Sequence, residues 1–198
     1  MARIGLLGGT FDPIHYGHLI IAEATRDQLG LDHIEFLPAN DPPHKPDATV
    51  SPVHDRIAMV NAAIGTIPYF VINCIEMERV GPSYTVDTLE RLKERRPEDD
   101  FSFIIGGDSL RDLPTWRSPA RIIELASLAV INRPGARYDF EHLEMILPGL
   151  RARTAFIEAP LIDISATTLR TRCAEGRSIR FQTPDPVIEY ITSNTLYR

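Results

Sequence analysis

RIGLLGGTFDPIHYGHLIIAEATRDQLG, residues 3–30, decides the fold. Residues 3–9 are a short apolar run ending in two glycines, which reads as a buried strand. Leu19, Ile20 and Ala24 fall on one side of a helix predicted from Tyr16 to Leu29, with Gly30 just beyond its end. A strand, a glycine turn and a helix in that order leave unpaired N–H groups and a positive dipole end at the turn, which suits an anion.

The alternation continues outward from there. Short β-branched or aromatic runs predict strands at 34–38, 70–72, 101–105, 128–131 and 154–157. Helices are expected between them, at 51–64 with Ser51 as cap and Pro52 at the first helical position, and from Pro82-Ser83-Tyr84-Thr85 to about Arg96. Further helices are expected at 119–125, 140–146, 167–175 and 186–193, and the Pro- and Asp-rich stretch 39–49 reads as a loop. Strand and helix in turn imply an α/β fold: a mostly parallel sheet with helices on both faces and a helical C-terminal end. Ligands of such sheets bind at the carboxyl ends of strands, where the strand order reverses. Segments 8–18, 38–45, 106–116 and 132–135 each follow a predicted strand and are the candidate site.

With 198 residues, the chain is long enough for one well-packed domain over 1–198 and short for two. No apolar run approaches the ~20 residues that span a bilayer, and the N-terminus lacks a secretory signal, so no membrane association is expected. A formal net charge of −6 argues against a broad nucleic-acid surface but leaves room for a small anionic substrate held by local positive charge. Cys74 and Cys173 stand far apart, form no metal framework and point to free thiols in the cytoplasm.

Two motifs carry the chemistry. In GGTFDPIHYGH, residues 8–18, Gly8 and Gly9 let the backbone approach a phosphate, and His15 and His18 share one face of the first helical turn. Two imidazoles beside a helix N-terminus suit a polyphosphate undergoing substitution, whereas a glycine turn with two surface histidines would be the bland alternative. In ISATTLR, residues 164–170, Ser165 and Thr167 are positioned to cap a helix and Arg170 lies about one turn in, making a second anion cradle of hydroxyls, N–H groups and a guanidinium. Taken alone, that segment is slightly better read as an ordinary capped helix.

HYGH fits the HxGH signature of the nucleotidyltransferase superfamily, and ISATTLR resembles its second signature, SxTxxR. The longer string GGTFDPIHYGHL resembles the form found in bacterial nicotinate-nucleotide adenylyltransferases. PANDPPHK at 38–45, PSYTVDTL at 82–89, FIIGGDSLRDLPTW at 103–116 and NRPG at 132–135 resemble the same family, in the same order along the whole chain. The resemblance implies a Rossmann-like fold and the reaction of ATP with nicotinate mononucleotide to give deamido-NAD and pyrophosphate, with Mg²⁺. It implies that His15, His18, Lys45 and Arg170 handle the phosphates of ATP, with hydrogen bonds from Ser165 and Thr167. Gly8, Gly9, Thr10 and Phe11 would line the floor through their backbone, with Gly106 also on the ATP side. Thr10, Lys45, Tyr84, Thr85, Trp116 and Arg133 would meet the mononucleotide, and Asp108 would lie near ribose hydroxyls or the metal. No protein metal ligands are expected, since Mg²⁺ keeps much of its hydration and travels with the triphosphate. The resemblance also allows a homodimer.

Two other functions compete with this one. A related adenylyltransferase would use nicotinamide mononucleotide or pantetheine phosphate; the PSYT and LPTW segments favour nicotinate. A regulatory nucleotide-binding module could keep the fold and lose His18 or Arg170, but both are present.

Overall fold

The computed structural model describes residues 1–41, 50–79, 81–132, 138–160 and 162–198. Six parallel strands form one sheet: β1 (Arg3–Gly9), β2 (His33–Pro38), β3 (Phe70–Ile72), β4 (Asp100–Gly106), β5 (Ser127–Asn132) and β6 (Thr154–Glu158). Their order is β3-β2-β1-β4-β5-β6, so the order reverses between β1 and β4. The register sets Leu6 of β1 against Glu35 of β2 on one side and Phe103 of β4 on the other.

Among the described residues, eight helices accompany the strands: α1 (Tyr16–Leu29), α2 (Val53–Ile64), α3 (Thr85–Arg95), α4 (Gly107–Asp112), α5 (Pro119–Leu125), α6 (Phe140–Ile146), α7 (Ala166–Ala174) and α8 (Asp185–Ser193). The period-2 alternation of the strands divides the apolar residues into two clusters. Ile4, Leu6, Phe101, Phe103, Ile105, Leu128 and Val130 pack with Leu89, Leu92, Ile122 and Leu143 from α3, α5 and α6. Leu7, Ile34, Phe36, Ile104, Ala129 and Ile131 pack with Leu19, Met59, Val60, Leu169 and Val187 from α1, α2, α7 and α8. Both faces are therefore covered, as parallel sheets require, and the α/β expectation holds.

Helix α1 matches the sequence reading at both ends. Gly30 adopts a left-handed φ of 57°, its N–H and that of Leu31 closing onto Asp27 and Arg26 carbonyls. Helix α2 departs from it. The helix starts at Val53 with Pro52 at the cap position and no side-chain cap, so Ser51 does not cap it. Its backbone is spoken for elsewhere: the Ser51 N–H donates to Asp12 Oδ2 and its carbonyl accepts from Arg56. Ser83 and Thr85 do not cap α3 either. The Ser83 hydroxyl accepts from the N–H of Asn40, tying the start of α3 to the loop after β2. Four short elements escaped the sequence reading: α4 and the 3₁₀ turns Ile75–Glu78, Leu113–Thr115 and Arg151–Arg153. Each is under two helical turns, too short for a periodicity to register.

Candidate active site

Where β1 and β4 part, their ends carry Gly8, Gly9 and Gly106, and two cavities open there. The first, of about 380 Å³, is lined by Gly8, Gly9, Thr10, Thr85, Gly106 and Trp116, among others. The second, of about 470 Å³, is lined by His15, Gly17, His18, Asp163, Ser165 and Thr167, among others. Ile21 and Ile131 line both, so the cavities are neighbours. The motif residues thus fall into two groups at one crevice, at the topological switch point.

His15 is the N-cap of α1 and is buried. Its backbone N–H donates to Nδ1 of His18 at 3.2 Å. Because Nδ1 accepts, the proton of a neutral His18 ring sits on Nε2, which becomes the donor. The two imidazoles stack with centroids 3.8 Å apart. Gly17, between them in sequence, leaves the His15 ring its place: a Cβ there would stand 3.0 Å from both Cε1 and Nδ1 of His15, a tight contact. His18 is braced on its other side by the edge of Phe11, whose ring centroid is 5.0 Å away. Phe11 is itself fully buried at a left-handed φ of 51°, a conformation that packing has to hold in place. Its ring also explains Gly9, where a Cβ would lie 2.9 Å from Phe11. Gly8 is different: a Cβ would find only Phe103, at 3.5 Å.

At the second motif, Ser165 caps α7 by accepting from the Thr168 N–H at 3.1 Å, as expected, while Thr167 lies within the first turn and is exposed. Arg170 reaches across to β1's loop. One of its terminal nitrogens donates to the Asp12 carbonyl at 2.8 Å and the other to Thr167 Oγ1 at 3.4 Å. The two signatures are joined through this guanidinium.

Around the first cavity, Trp116 meets Phe103 edge-on with centroids 6.4 Å apart. The Arg117 guanidinium lies 4.9 Å from the centre of the Tyr84 ring. Asp108 is exposed in the first turn of α4 and pairs with Arg111 at 3.1 Å. Lys45 and Arg133 lie outside the described residues.

Sequence reasoning missed several residues that build the site. Asp12 is 3% exposed; its Oδ1 accepts from the Tyr197 hydroxyl at 2.6 Å and its Oδ2 from Ser51. Burial foremost, then the bond to Asp12, raises the Tyr197 phenol far above its ordinary range. Arg56 is 2% exposed and donates to the carbonyls of Ser51, Thr10, Ala39 and Asn40, pinning the loops after β1 and β2 together. Burial pushes its guanidinium below its usual range, opposed by nearby Asp12. A signal for Arg56 was present: it occupies the buried face of α2 with Met59, Val60 and Ala63, at helical spacing.

Two further observations bound the chemistry. Among the described residues, no group of three or more His, Cys, Asp or Glu side chains could hold a metal ion. No helix among them is long and apolar enough to cross a membrane.

The chain matches the model of a family described as cytidylyltransferase-like over residues 6–172. A protein of Thermomicrobium roseum named as a probable nicotinate-nucleotide adenylyltransferase is 46% identical, over 100% of this chain and 92% of its own length. One of Roseiflexus castenholzii with the same name is 50% identical, over 99% of this chain and 98% of its own. Among solved structures, Plasmodium falciparum nicotinic acid mononucleotide adenylyltransferase complexed with NaAD superposes with a TM-score of 0.81 at 21% identity, covering 100% of this chain and 98% of that one. The same enzyme complexed with APC gives a TM-score of 0.79 at 20% identity, with the same coverage. These two share the fold.

Proposed function

The chain belongs to the cytidylyltransferase-like family and, within it, to the nicotinate-nucleotide adenylyltransferases, and from that membership we propose how its two cavities divide the work. The reaction is adenylyl transfer from ATP to nicotinate mononucleotide, giving deamido-NAD and pyrophosphate in NAD biosynthesis. The cavity of His15, His18, Ser165 and Thr167 takes the ATP phosphates, and the cavity of Thr10, Thr85 and Trp116 takes the mononucleotide. The observation that carries this division is their adjacency, which brings a donor and an acceptor phosphate together at Ile21 and Ile131.

The nucleophile needs little help. A phosphate monoester has its second pKa near ~6 and is largely a dianion at pH 7. One of its oxygens bonds to the α-phosphorus of ATP as the bond from that phosphorus to the β-bridging oxygen breaks. Pyrophosphate leaves with the electron pair, and no proton has to move in the bond-making step. The obstacle is bringing two anions together and stabilising charge on the leaving group, so catalysis is positioning plus electrostatics.

His18 Nε2–H and the α1 N-terminus stabilise that charge. The stack on His15, the Gly17 contact and the Phe11 edge fix the imidazole beforehand, so no reorganisation is left for the reaction. Arg170 serves the same phosphates from the opposite side while holding Asp12. Gly8, Gly9 and Phe11 shape the floor, and Gly106 gives the ligands room between strands. Lys45 adds charge at the phosphates and Arg133 at the mononucleotide. Asp108, exposed beside the first cavity, faces ribose hydroxyls.

Mg²⁺ would enter with ATP and keep much of its hydration, with no dedicated protein ligand implied by the resemblance. When bound it neutralises charge on the triphosphate. The free thiols Cys74 and Cys173 support a cytoplasmic setting.

Incubation with ATP, Mg²⁺ and each of nicotinate mononucleotide, nicotinamide mononucleotide and pantetheine phosphate tests the reading. Release of pyrophosphate with stoichiometric deamido-NAD supports it. Binding of ATP without turnover on any acceptor would instead make the chain a nucleotide-binding module.

A further inference from the structure

Glu76 has no part in the chemistry above, yet it lines the mononucleotide cavity while only 8% exposed. Its Oε1 accepts from the Thr88 hydroxyl, on the second turn of α3. Among the described residues, its Oε2 has no hydrogen-bond partner. Arg79 has a terminal nitrogen 4.0 Å from that oxygen. That guanidinium is committed elsewhere, to Asp87 Oδ2 and the Pro82 carbonyl. Asp87 also draws Arg117, at 3.4 Å, but Arg117 is more than half exposed. Glu76 and Asp87 thus share the partly buried Arg79 guanidinium, which bonds to Asp87 and leaves Glu76 Oε2 short of a partner among the described residues. The rest of the cavity wall is largely apolar or uncharged, with Leu7, Leu37, Phe103, Ile105 and Trp116.

A buried charge with a deficit of partners is costly and is expected to be matched by something. Resting on the function proposed above, the match can be identified by elimination. ATP, the acceptor phosphate and the nicotinate carboxylate are all anionic. The one cationic group in either substrate is the pyridinium ring, whose quaternary nitrogen bears a full positive charge. We propose that Glu76 is a specificity-determining residue: its carboxylate is the counter-charge for the pyridinium ring of the mononucleotide. The α3 N-terminus reads the ring's carboxylate, Trp116 offers it a flat face, and Glu76 reads its charge. A neutral six-membered ring of the same shape is then a poorer ligand even with identical substituents.

The test compares two ligands differing only in ring charge: nicotinate mononucleotide, and the C-nucleoside benzoate riboside 5′-phosphate, in which the ring nitrogen is carbon. Binding is measured by calorimetry, without turnover. The wild type is expected to bind the pyridinium ligand about tenfold or more tightly, equivalent to about 1.4 kcal/mol. Glu76→Gln keeps an oxygen for Thr88 and removes the charge. It is expected to lose about tenfold in affinity for the pyridinium ligand and to stay within about twofold for the neutral one. Glu76→Asp is expected to retain the preference. Equal losses for both ligands in Glu76→Gln would make the residue merely structural and overturn the proposal. So would a wild type that binds the two ligands equally, a comparison that stands even where the variant does not fold. Failure of the wild type to bind either ligand would overturn the functional reading itself, a different outcome from binding both alike.

Discussion

Arg170 and Asp12, 158 positions apart in sequence, are joined by a 2.8 Å hydrogen bond from the guanidinium to the backbone carbonyl. The contact locks the helix that follows β6 onto the loop that follows β1. It joins the two signatures, residues 8–18 and 164–170, across the fold. Asp12 is held from beneath by Tyr197 and Ser51, so Arg170 docks on a fixed point.

Arg170→Lys keeps the charge but loses the planar fork that can hold Asp12, Thr167 and a phosphate oxygen together. The variant is expected to fold normally and to lose ~10-fold or more in ATP-dependent kcat/KM. Steady-state kinetics with varied ATP check this, and kinetics overlaying the wild type would remove Arg170 from the site.

His18 has two separable duties, since Nδ1 accepts the His15 N–H while Nε2 is the donor. Asn has a carbonyl that can take over the first duty and nothing that reaches as far as Nε2. His18→Asn is expected to keep the wild-type melting temperature within a few degrees and to lose ~10²-fold in kcat, the scale of one transition-state donor. Unchanged turnover in the folded variant would sink the assignment.

Gly17→Ala should separate stability from activity. In a helix, Ala is favoured over Gly by about 0.5–1 kcal/mol. Its Cβ would press on the His15 ring at 3.0 Å and shift the stack. The melting temperature is expected to hold or rise while kcat falls ~10-fold or more, measured on one preparation.

Tyr197 gives the fold a dependence on alkaline pH. Its phenol is raised in the folded state by burial first and by the bond to Asp12 second. The stabilisation is therefore complete below the unfolded-state value of about 10 and is lost as pH rises beyond it. Urea unfolding between pH 8 and 11 should show wild-type stability falling above pH ~10. Tyr197→Phe, less stable at pH 8 by about 1–3 kcal/mol for the lost charge-assisted bond, should fall less over the same range. Parallel profiles for the two proteins would contradict the linkage.

Most of the fold was legible because its signals are local. The run from Arg3 to Gly30 carries strand, turn, helix and stop within one window, and α1 begins and ends where that window says. The candidate site was legible where residue type and position coincide, as in His15 and His18, which line one cavity. What was hidden depends on contacts between distant segments. Nothing near Tyr197 says that its hydroxyl meets Asp12, and Ser51 looks like a cap until Asp12 and Arg56 claim its backbone. Gly9 read as room for a phosphate, whereas its nearest neighbour is the Phe11 ring. Glu76 carries no local signal of its place in the cavity wall, because burial is a tertiary property.

In the proposed reaction the first cavity accepts a pyridine mononucleotide bearing a carboxylate, whose phosphate attacks the α-phosphate of ATP. The N-terminus of α3 supplies N–H donors and a positive dipole end, which suit a carboxylate. An amide would set its NH₂ against one of those donors, leaving a buried group unpaired at about 1–3 kcal/mol, with a charge-assisted bond lost as well. The most direct measurement is kcat/KM for pyrophosphate release with nicotinate mononucleotide and with nicotinamide mononucleotide, at saturating ATP and Mg²⁺. The account predicts a preference for nicotinate of at least ~10²-fold; equal values for the two acceptors would contradict it.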